Sequence, residues 1–324
     1  MYSNKNVLVA GGTGTIGIPL VRMLREQDAN VTVASLDNEE YAARVLPDGT
    51  KFIRSNLELF DNCLNVTMGQ DYVFNLVGIK GSVGLGESKV ASYLVPMLRF
   101  QTNLMEASFI NNVTGFMFTS SVCIYPQADE HFEDNAWNGM PRQNDRIPGL
   151  AKRIGEIQGE AYLKEHGWQG VKILRPSNVF GPFDDFNPIS AQVIPAIISR
   201  VLSGENPLVV WGDGTTIRDF IFSEEVAFWM LNAMIAAPAC VPINLGCGDA
   251  ISILEIVNTI VDICPQSPEI RWDSSKPSGD PVRLMNMDRA KELLDFKRMY
   301  SLEESLEKTI KWVIDNPDLV KSGK

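Results

Sequence analysis

The sequence predicts an α/β fold in which a doubly wound parallel sheet carries a smaller, mixed C-terminal domain. Three observations lead there. Short β-branched runs alternate with longer helical patterns through the first half of the chain, a glycine-spaced turn follows the first strand, and the alternation breaks down in the tail. In order, NVLVA (6–10) reads as a strand and IPLVRMLREQ (18–27) as an amphipathic helix. VTVAS (31–35), KFIRS (51–55) and DYVFNLV (71–77) are strands, and a long helical pattern runs from Ser88 to Asn111. GFMFTSS (115–121) is the next strand, followed by a polar loop rich in Asp, Glu, Asn and Pro. RIPGLAKRIGE (146–156) opens a helix reaching about Lys164. Pro148 suits a first helical position, where a missing N–H costs nothing, and Ala151 to Glu156 propagate a helix well. VKILRP (171–176) is another strand.

In the tail, QVIPAIISRVL (192–202) is helical and PLVVWGDGTTIRDFIF (207–222) reads as strand, turn, strand. VPINLG (241–246) is a strand, ILEIVNTIVDI (253–263) a helix, EIRWD (269–273) a strand, and Leu302 to Asn316 a terminal helix. The expected division is a dinucleotide-binding domain over 1–177 that returns at about 219–258. A substrate domain takes 178–218 and 259–324.

Composition narrows the function. The chain has 324 residues, 45% of them hydrophobic, which suffices for a substantial core. Its net charge of −11 argues against a nucleic-acid surface, which needs basic patches. The five cysteines (Cys63, Cys123, Cys240, Cys247, Cys264) are scattered, with no C-x-x-C pair. His131 and His166 are the only imidazoles, so neither a disulfide framework nor a metal site is expected. No apolar run approaches the ~18 residues of a membrane span, and the start lacks a signal-like apolar region. The expectation is a cytoplasmic protein without membrane contact.

AGGTGTIG (10–17) sits between a strand and a helix, with Gly11, Gly14 and Gly17 in G-x-x-G-x-x-G spacing. Glycines there allow a tight turn, close approach of a pyrophosphate and tight helix–sheet packing, while the helix amino end favours the phosphate. A purely structural turn is the plain alternative. An acid ending the second strand would hold the adenosine ribose of NAD. Ser35 occupies the usual place, and Asp37 lies close enough to substitute. No arginine follows at once to hold a 2′-phosphate, so the leaning is to NAD, with NADP open.

Several segments together make the chain resemble the extended short-chain dehydrogenase/reductase family of nucleotide-sugar epimerases, dehydratases and reductases, built on a Rossmann sheet. They are SSVCIYP (120–126), NVFGPFDDFNP (178–188), VIPAIISR (193–200), VVWGDGTTIRDF (209–220), NLGCG (244–248) and KPSGDPVRLMNMD (276–288). The likeness is greatest to the GDP-L-fucose synthases, whose segment near the nicotinamide is similar to IKGSVG (79–84).

The resemblance implies hydride chemistry carried by a Ser or Thr, a Tyr and a Lys. Ser121 matches the serine and Lys152 the lysine, but the tyrosine position holds Pro148. No tyrosine lies between Tyr125 and Tyr162, and Tyr162 falls on another face of the helix. Tyr125 reads as packing or a pocket wall. Cys123 matches an epimerising cysteine and fits equally a small buried residue. The partner histidine position holds Gln192, which cannot exchange protons near neutrality.

The implied cofactor residues are Gly11, Gly14, Thr15, Ile16, Gly17, Asp37, Asn56, Leu57, Val77, Gly78 and Lys152. Those for substrate are Lys80, Ser121, Asn178, Arg218, Lys276 and Arg283, the arginines suiting a diphosphate through guanidinium contacts. The implied activity is an NAD(P)-dependent oxidoreductase or epimerase on a nucleotide sugar, GDP-linked, with atypical proton transfer. The alternative is a catalytically weak sensor or scaffold that binds the same ligands. A homodimer is expected through the helices at 88–111 and after Pro148, with Val95, Leu98, Ile154 and Tyr162 on the interface. Of the three proton carriers left near the site, a thiol is intrinsically nearest neutrality, which favours Cys123 over Ser121 and Lys152.

Overall fold

The structure, a computed structural model, describes residues 1–79, 90–187, 190–276 and 279–321. The first half contains β1 (Asn6–Ala10), α1 (Gly17–Glu26), β2 (Asn30–Ser35), α2 (Glu39–Val45), β3 (Lys51–Arg54), α3 (Phe60–Thr67) and β4 (Tyr72–Asn75). Then come α4 (Val90–Ile110), β5 (Gly115–Thr119), β6 (Glu130–His131), α5 (Arg146–His166) and β7 (Val171–Pro176). The tail adds β8 (Asn178–Phe180), α6 (Val193–Leu202), β9 (Leu208–Trp211), β10 (Ile217–Arg218), β11 (Phe220–Phe222), α7 (Ser223–Ala236) and β12 (Pro242–Leu245). It closes with β13 (Ile251–Ser252), α8 (Ile253–Ile263), β14 (Ile270–Asp273), β15 (Val282–Met285), α9 (Asp288–Leu294), α10 (Leu302–Asp315) and α11 (Pro317–Lys321).

The main sheet has seven strands in the order β12-β7-β5-β4-β1-β2-β3, and every pairing in it is parallel. Its inner strands are buried on both faces, which is why β1 and β5 read as unbroken apolar runs. One face packs against α1 and α7, the other against α3, α4 and α5. A third core joins α6, α8 and α10 to β9 and β11. Capping boxes at Ser252–Glu255 and Ser301–Glu304 start α8 and α10.

Two details differ from the expectations. The strand expected over 115–121 stops at Thr119, because Ser121 turns out of the sheet to cap a short 3-10 turn at Val122–Ile124. The helix bearing Lys152 starts at Arg146, so Pro148 lies inside its first turn rather than opening it. A first-turn N–H has no intrahelical acceptor, so proline is tolerated there too.

Candidate active site

β1 lies between β4 and β2, so successive strands depart to opposite sides of it and the loops at their carboxyl ends part into a crevice. The glycine loop forms its floor. Gly11 has φ +78°, and a Cβ there would stand 3.0 Å from the Leu76 carbonyl. A Cβ on Gly17 would come within 2.6 Å of the Gly11 oxygen and the Gly12 backbone. These two glycines are required by the fold itself. Gly14 is different, since its Cβ would meet nothing nearer than the Gly11 oxygen at 3.4 Å.

Gly11, Gly14, Asp37, Asn56, Leu57, Val77 and Gly78 line a cavity of about 520 Å³. Thr15, Ile16 and Gly17 line an adjoining cavity of about 170 Å³, which also includes Gly11, Gly14 and Gln192. At the end of β2, Asp37 accepts from Ser35 Oγ at 2.9 Å and from the Thr13 hydroxyl. A side-chain-free cradle, the amino end of α1 and an acid at the second strand fit an extended dinucleotide. Gly14→Val is therefore expected to leave the fold intact while filling space the pyrophosphate needs. In a fluorescence titration the Kd for NADH should rise at least about tenfold, ~1.4 kcal/mol, with unchanged thermal unfolding. An unaltered Kd in the folded variant would contradict this assignment of the loop.

The residues expected to carry the chemistry lie just after β5 and on α5, and Ser121, Cys123 and Lys152 line neither of these two cavities. Ser121 Oγ accepts from the Cys123 amide at 3.2 Å, leaving its own proton to donate. Lys152 Nζ donates to the Thr119 carbonyl at 2.7 Å and lies 5.3 Å from the centre of the Phe118 ring. Burial lowers its ammonium to about 8, against the opposing influence of Cys123 and Glu156. Burial and the Asp145 carboxylate push the Cys123 thiol up to about 11, although Arg283 pulls the other way. The order of acidities expected from the sequence thus reverses: in the folded chain the lysine stands nearer neutrality. Tyr93 on α4 also interacts electrostatically with Cys123, and its hydroxyl donates to the Ile79 carbonyl.

Asp145 and Arg142 were not singled out in the sequence. Asp145 sits at the N-cap position of α5 without capping it. Its carboxylate instead pairs with Arg283 at 2.8 Å and Arg142 at 3.6 Å, and the same Arg283 nitrogen donates to the Val122 carbonyl at 2.9 Å. Arg142 also pairs with Asp280 at 2.6 Å. No local signal in the sequence showed that the Asp145 carboxylate would be spent on Arg283.

Arg218 and Arg283 are neighbours across β10 and β15. Arg218 donates to the Ile217 and Asp280 carbonyls, whereas Arg283 is buried beside Cys123. Asn178 donates to the Asp219 carbonyl at 2.8 Å, serving the β8–β11 junction. Lys276 is exposed, 5.9 Å above the Trp211 ring. Lys80 lies outside the described residues. Tyr125 is fully buried, stacked on His131 and bonded to Asn244 and Arg175, away from any role as a displaced acid. Tyr162 bonds Glu106 and packs on Phe109, near the end of α5 remote from Lys152.

A seven-stranded parallel sheet with a glycine cradle and an acid just beyond the second strand fits a dinucleotide-dependent enzyme. Residues 7–246 match the model of the NAD dependent epimerase/dehydratase family, and the chain belongs to that family. Among relatives, it is 26% identical to the GDP-L-fucose synthase of Escherichia coli strain K12, with 98% of each chain covered. It is 26% identical to the structure of UDP-N-acetylglucosamine 4-epimerase from Methanobrevibacter ruminantium M1 in complex with UDP-N-acetylmuramic acid, at a TM-score of 0.86 over 97% of this chain and 99% of that one. A structure of MoeE5 in complex with UDP-glucuronic acid and NAD is 27% identical, with a TM-score of 0.78 over 96% and 99% of the two chains. No helix among the described residues is long and apolar enough to cross a membrane.

Proposed function

We propose that the chain is an oxidoreductase or epimerase acting on a GDP-linked sugar, using NAD and moving the hydroxyl proton through Lys152. Likeness to GDP-L-fucose synthase over nearly the whole chain supports the nucleotide. Asp37 at the ribose end supports NAD over NADP, since a carboxylate repels a 2′-phosphate. The observation that carries the mechanism is the half-buried lysine held at the end of β5. Bound NAD supplies the hydride acceptor and donor. Ser121 donates to the reacting sugar oxygen. Neutral Lys152 takes the hydroxyl proton on oxidation, and its ammonium returns it on reduction. Cys123 stays protonated beside Asp145 and acts as a hydrogen-bond donor rather than a base. Arg218 and exposed Lys276 face the anionic part of the substrate, and Trp211, 63% exposed, offers a ring face to a base.

Pro148→Tyr tests this. It places a phenol one turn from Lys152, on the same face. With a GDP-sugar and NAD present, reduced-nicotinamide absorbance should rise at least about tenfold faster than in the unaltered chain, within the range a positioned acid–base supplies. Ligand-bound, folded protein with no absorbance change in either form would instead favour the binding-only alternative, to which Pro148 and Gln192 point.

The dimer is proposed on α4 and α5. Val95 is 41% exposed, Ile154 42% and Ile157 48%, an apolar set on two adjacent helices. Leu98 and Tyr162 are half-buried against the protomer's own core, so they would lie behind the contact. Light scattering at micromolar concentration should give twice the chain mass, and Ile154→Asp should give a monomer. A monomeric mass for the unaltered chain would rule the interface out.

A further inference from the structure

A phenol on α4 reaches the carboxyl ends of two neighbouring strands. β4 and β5 run side by side and parallel, so the segments that follow them leave the same edge of the sheet. Val77 and Gly78, after β4, line the cavity assigned to the cofactor, and Ile79 comes next. Cys123 lies in the turn after β5 that Ser121 caps. The Tyr93 hydroxyl donates to the Ile79 carbonyl, and the phenol is near enough to Cys123 for the two to interact electrostatically. It therefore stands between the two segments.

Helix packing places it there independently. α4 and α5 run in step: Gln158 donates to the Thr102 carbonyl at 3.0 Å and the Tyr162 hydroxyl to Glu106, two pairs with the same separation of 56 residues. Carried toward the amino ends, that separation sets Tyr93 level with Gly149. A Cβ on Gly149 would stand 2.3 Å from the Cys123 carbonyl, so the start of α5 presses on the turn that holds Cys123. Lys152 follows Gly149 by three residues, a neighbouring position on the same face. Tyr93 is half-buried, its ring packed on the core that contains Met97, Phe100 and Ala151.

Resting on the reading of the chain as a GDP-sugar oxidoreductase or epimerase, we propose that Tyr93 is a further catalytic residue, whose hydroxyl joins Ser121 as a second hydrogen-bond donor to the sugar oxygen that exchanges its proton with Lys152. That oxygen has two lone pairs, one for each donor, in both the hydroxyl and the carbonyl form. The phenol has a single proton and turns about its C–O bond. On binding it trades the Ile79 carbonyl for the sugar, and half-buried Ile79 leaves that carbonyl to water. Burial, with Cys123 adding to it, pushes the phenol up to about 12, so it keeps its proton near neutrality and serves as a donor rather than a base. A fixed donor aimed where charge grows on the oxygen lowers the barrier.

The test follows NADH formed when the full-length chain and NAD are mixed with GDP-mannose or GDP-L-fucose. Tyr93→Phe keeps the ring and removes only the oxygen. Its rate should fall at least about tenfold. The Kd for NADH and thermal unfolding should not change, and the inflection of rate with pH should stay near 8, where Lys152 titrates. Adding Pro148→Tyr to Tyr93→Phe offers a hydroxyl from α5 instead and should bring turnover back to at least that of the unaltered chain. An unchanged rate in Tyr93→Phe would overturn the role of Tyr93 and leave the enzymatic reading standing. So would a Kd for NADH weakened as much as the rate, because the phenol would then only hold the Ile79 segment. Loss of the inflection near 8 would overturn it by making Tyr93 the base. If Pro148→Tyr quickens the unaltered chain but not Tyr93→Phe, the lost donor does not act at the sugar oxygen and the proposal falls. An unaltered chain that forms no NADH defeats the enzymatic reading, and this role with it.

Discussion

Lys152→Met is expected to lower turnover by about 10²–10⁴-fold, the range of a positioned acid–base. Methionine keeps an unbranched chain against Phe118 but carries no exchangeable proton. The loss should fall mainly on kcat, with a smaller fall in NADH affinity, and the two are separated by steady-state rates and a binding titration. Cys123→Ala should cost much less, because a thiol pushed up to about 11 is no base near neutrality. If Cys123→Ala is the more damaging change, the assignment of the proton to Lys152 is wrong.

The pH profile gives an independent reading with a definite sign. Burial lowers Lys152 from 10.5 to about 8, so kcat/KM for sugar oxidation should rise as pH passes through about 8 and the neutral amine forms. In the direction of sugar reduction it should fall over the same interval, as the ammonium is lost. The groups facing this amine are Cys123 and Glu156, both of which favour its charged form, and they only partly offset the burial. For stability the sign also follows. Between about 8 and 10.5 the unfolded chain holds the proton more strongly, so the penalty for burying this lysine is full below about 8 and vanishes above 10.5. An inflection near 11 would point to Cys123 instead.

The sheet was legible because its strands are buried on both faces and read as apolar runs, and because a glycine turn separates β1 from α1. α7 was missed for the opposite reason. Val226, Ala227, Trp229, Met230, Ala233 and Met234 are buried around most of its circumference, so no single apolar stripe marks a helix. β6, β13 and β15 are short, and their existence depends on partners distant in sequence, as Glu130 does on Leu284. Positions at the strand ends could be named in advance, as with Asp37, Asn56 and Val77. The electrostatic state of the site could not. Lys152 owes its lowered pKa to burial, and Cys123 its raised one to burial and to Asp145, an aspartate that no sequence pattern singled out. The Phe183–Trp312 contact joins parts of the chain with no shared periodicity.

Glu156→Gln should be the most destabilising of the substitutions considered, costing about 3–5 kcal/mol. Arg175 on β7 and Glu156 on α5 form a two-pronged ion pair at 2.9 and 2.7 Å, each side chain only 1% exposed. The remaining Arg175 nitrogen donates to Tyr125 Oη at 2.9 Å and the Glu133 carbonyl at 2.8 Å. The guanidinium therefore ties the sheet to α5 and to the loop just beyond Cys123. Without the Glu156 carboxylate it becomes a buried, uncompensated charge, whereas a pair of apolar side chains would leave none. The double substitution Arg175→Met with Glu156→Leu should thus recover most of the stability in urea denaturation. Turnover should not recover with it, because Tyr125 and Glu133 lose the group that anchors the loop carrying Ser121 and Cys123. A Glu156→Gln chain within about 0.5 kcal/mol of the unaltered one would mean that water or a rearranged partner reaches Arg175, and that this buried pair does not fix the position of the active-site loop.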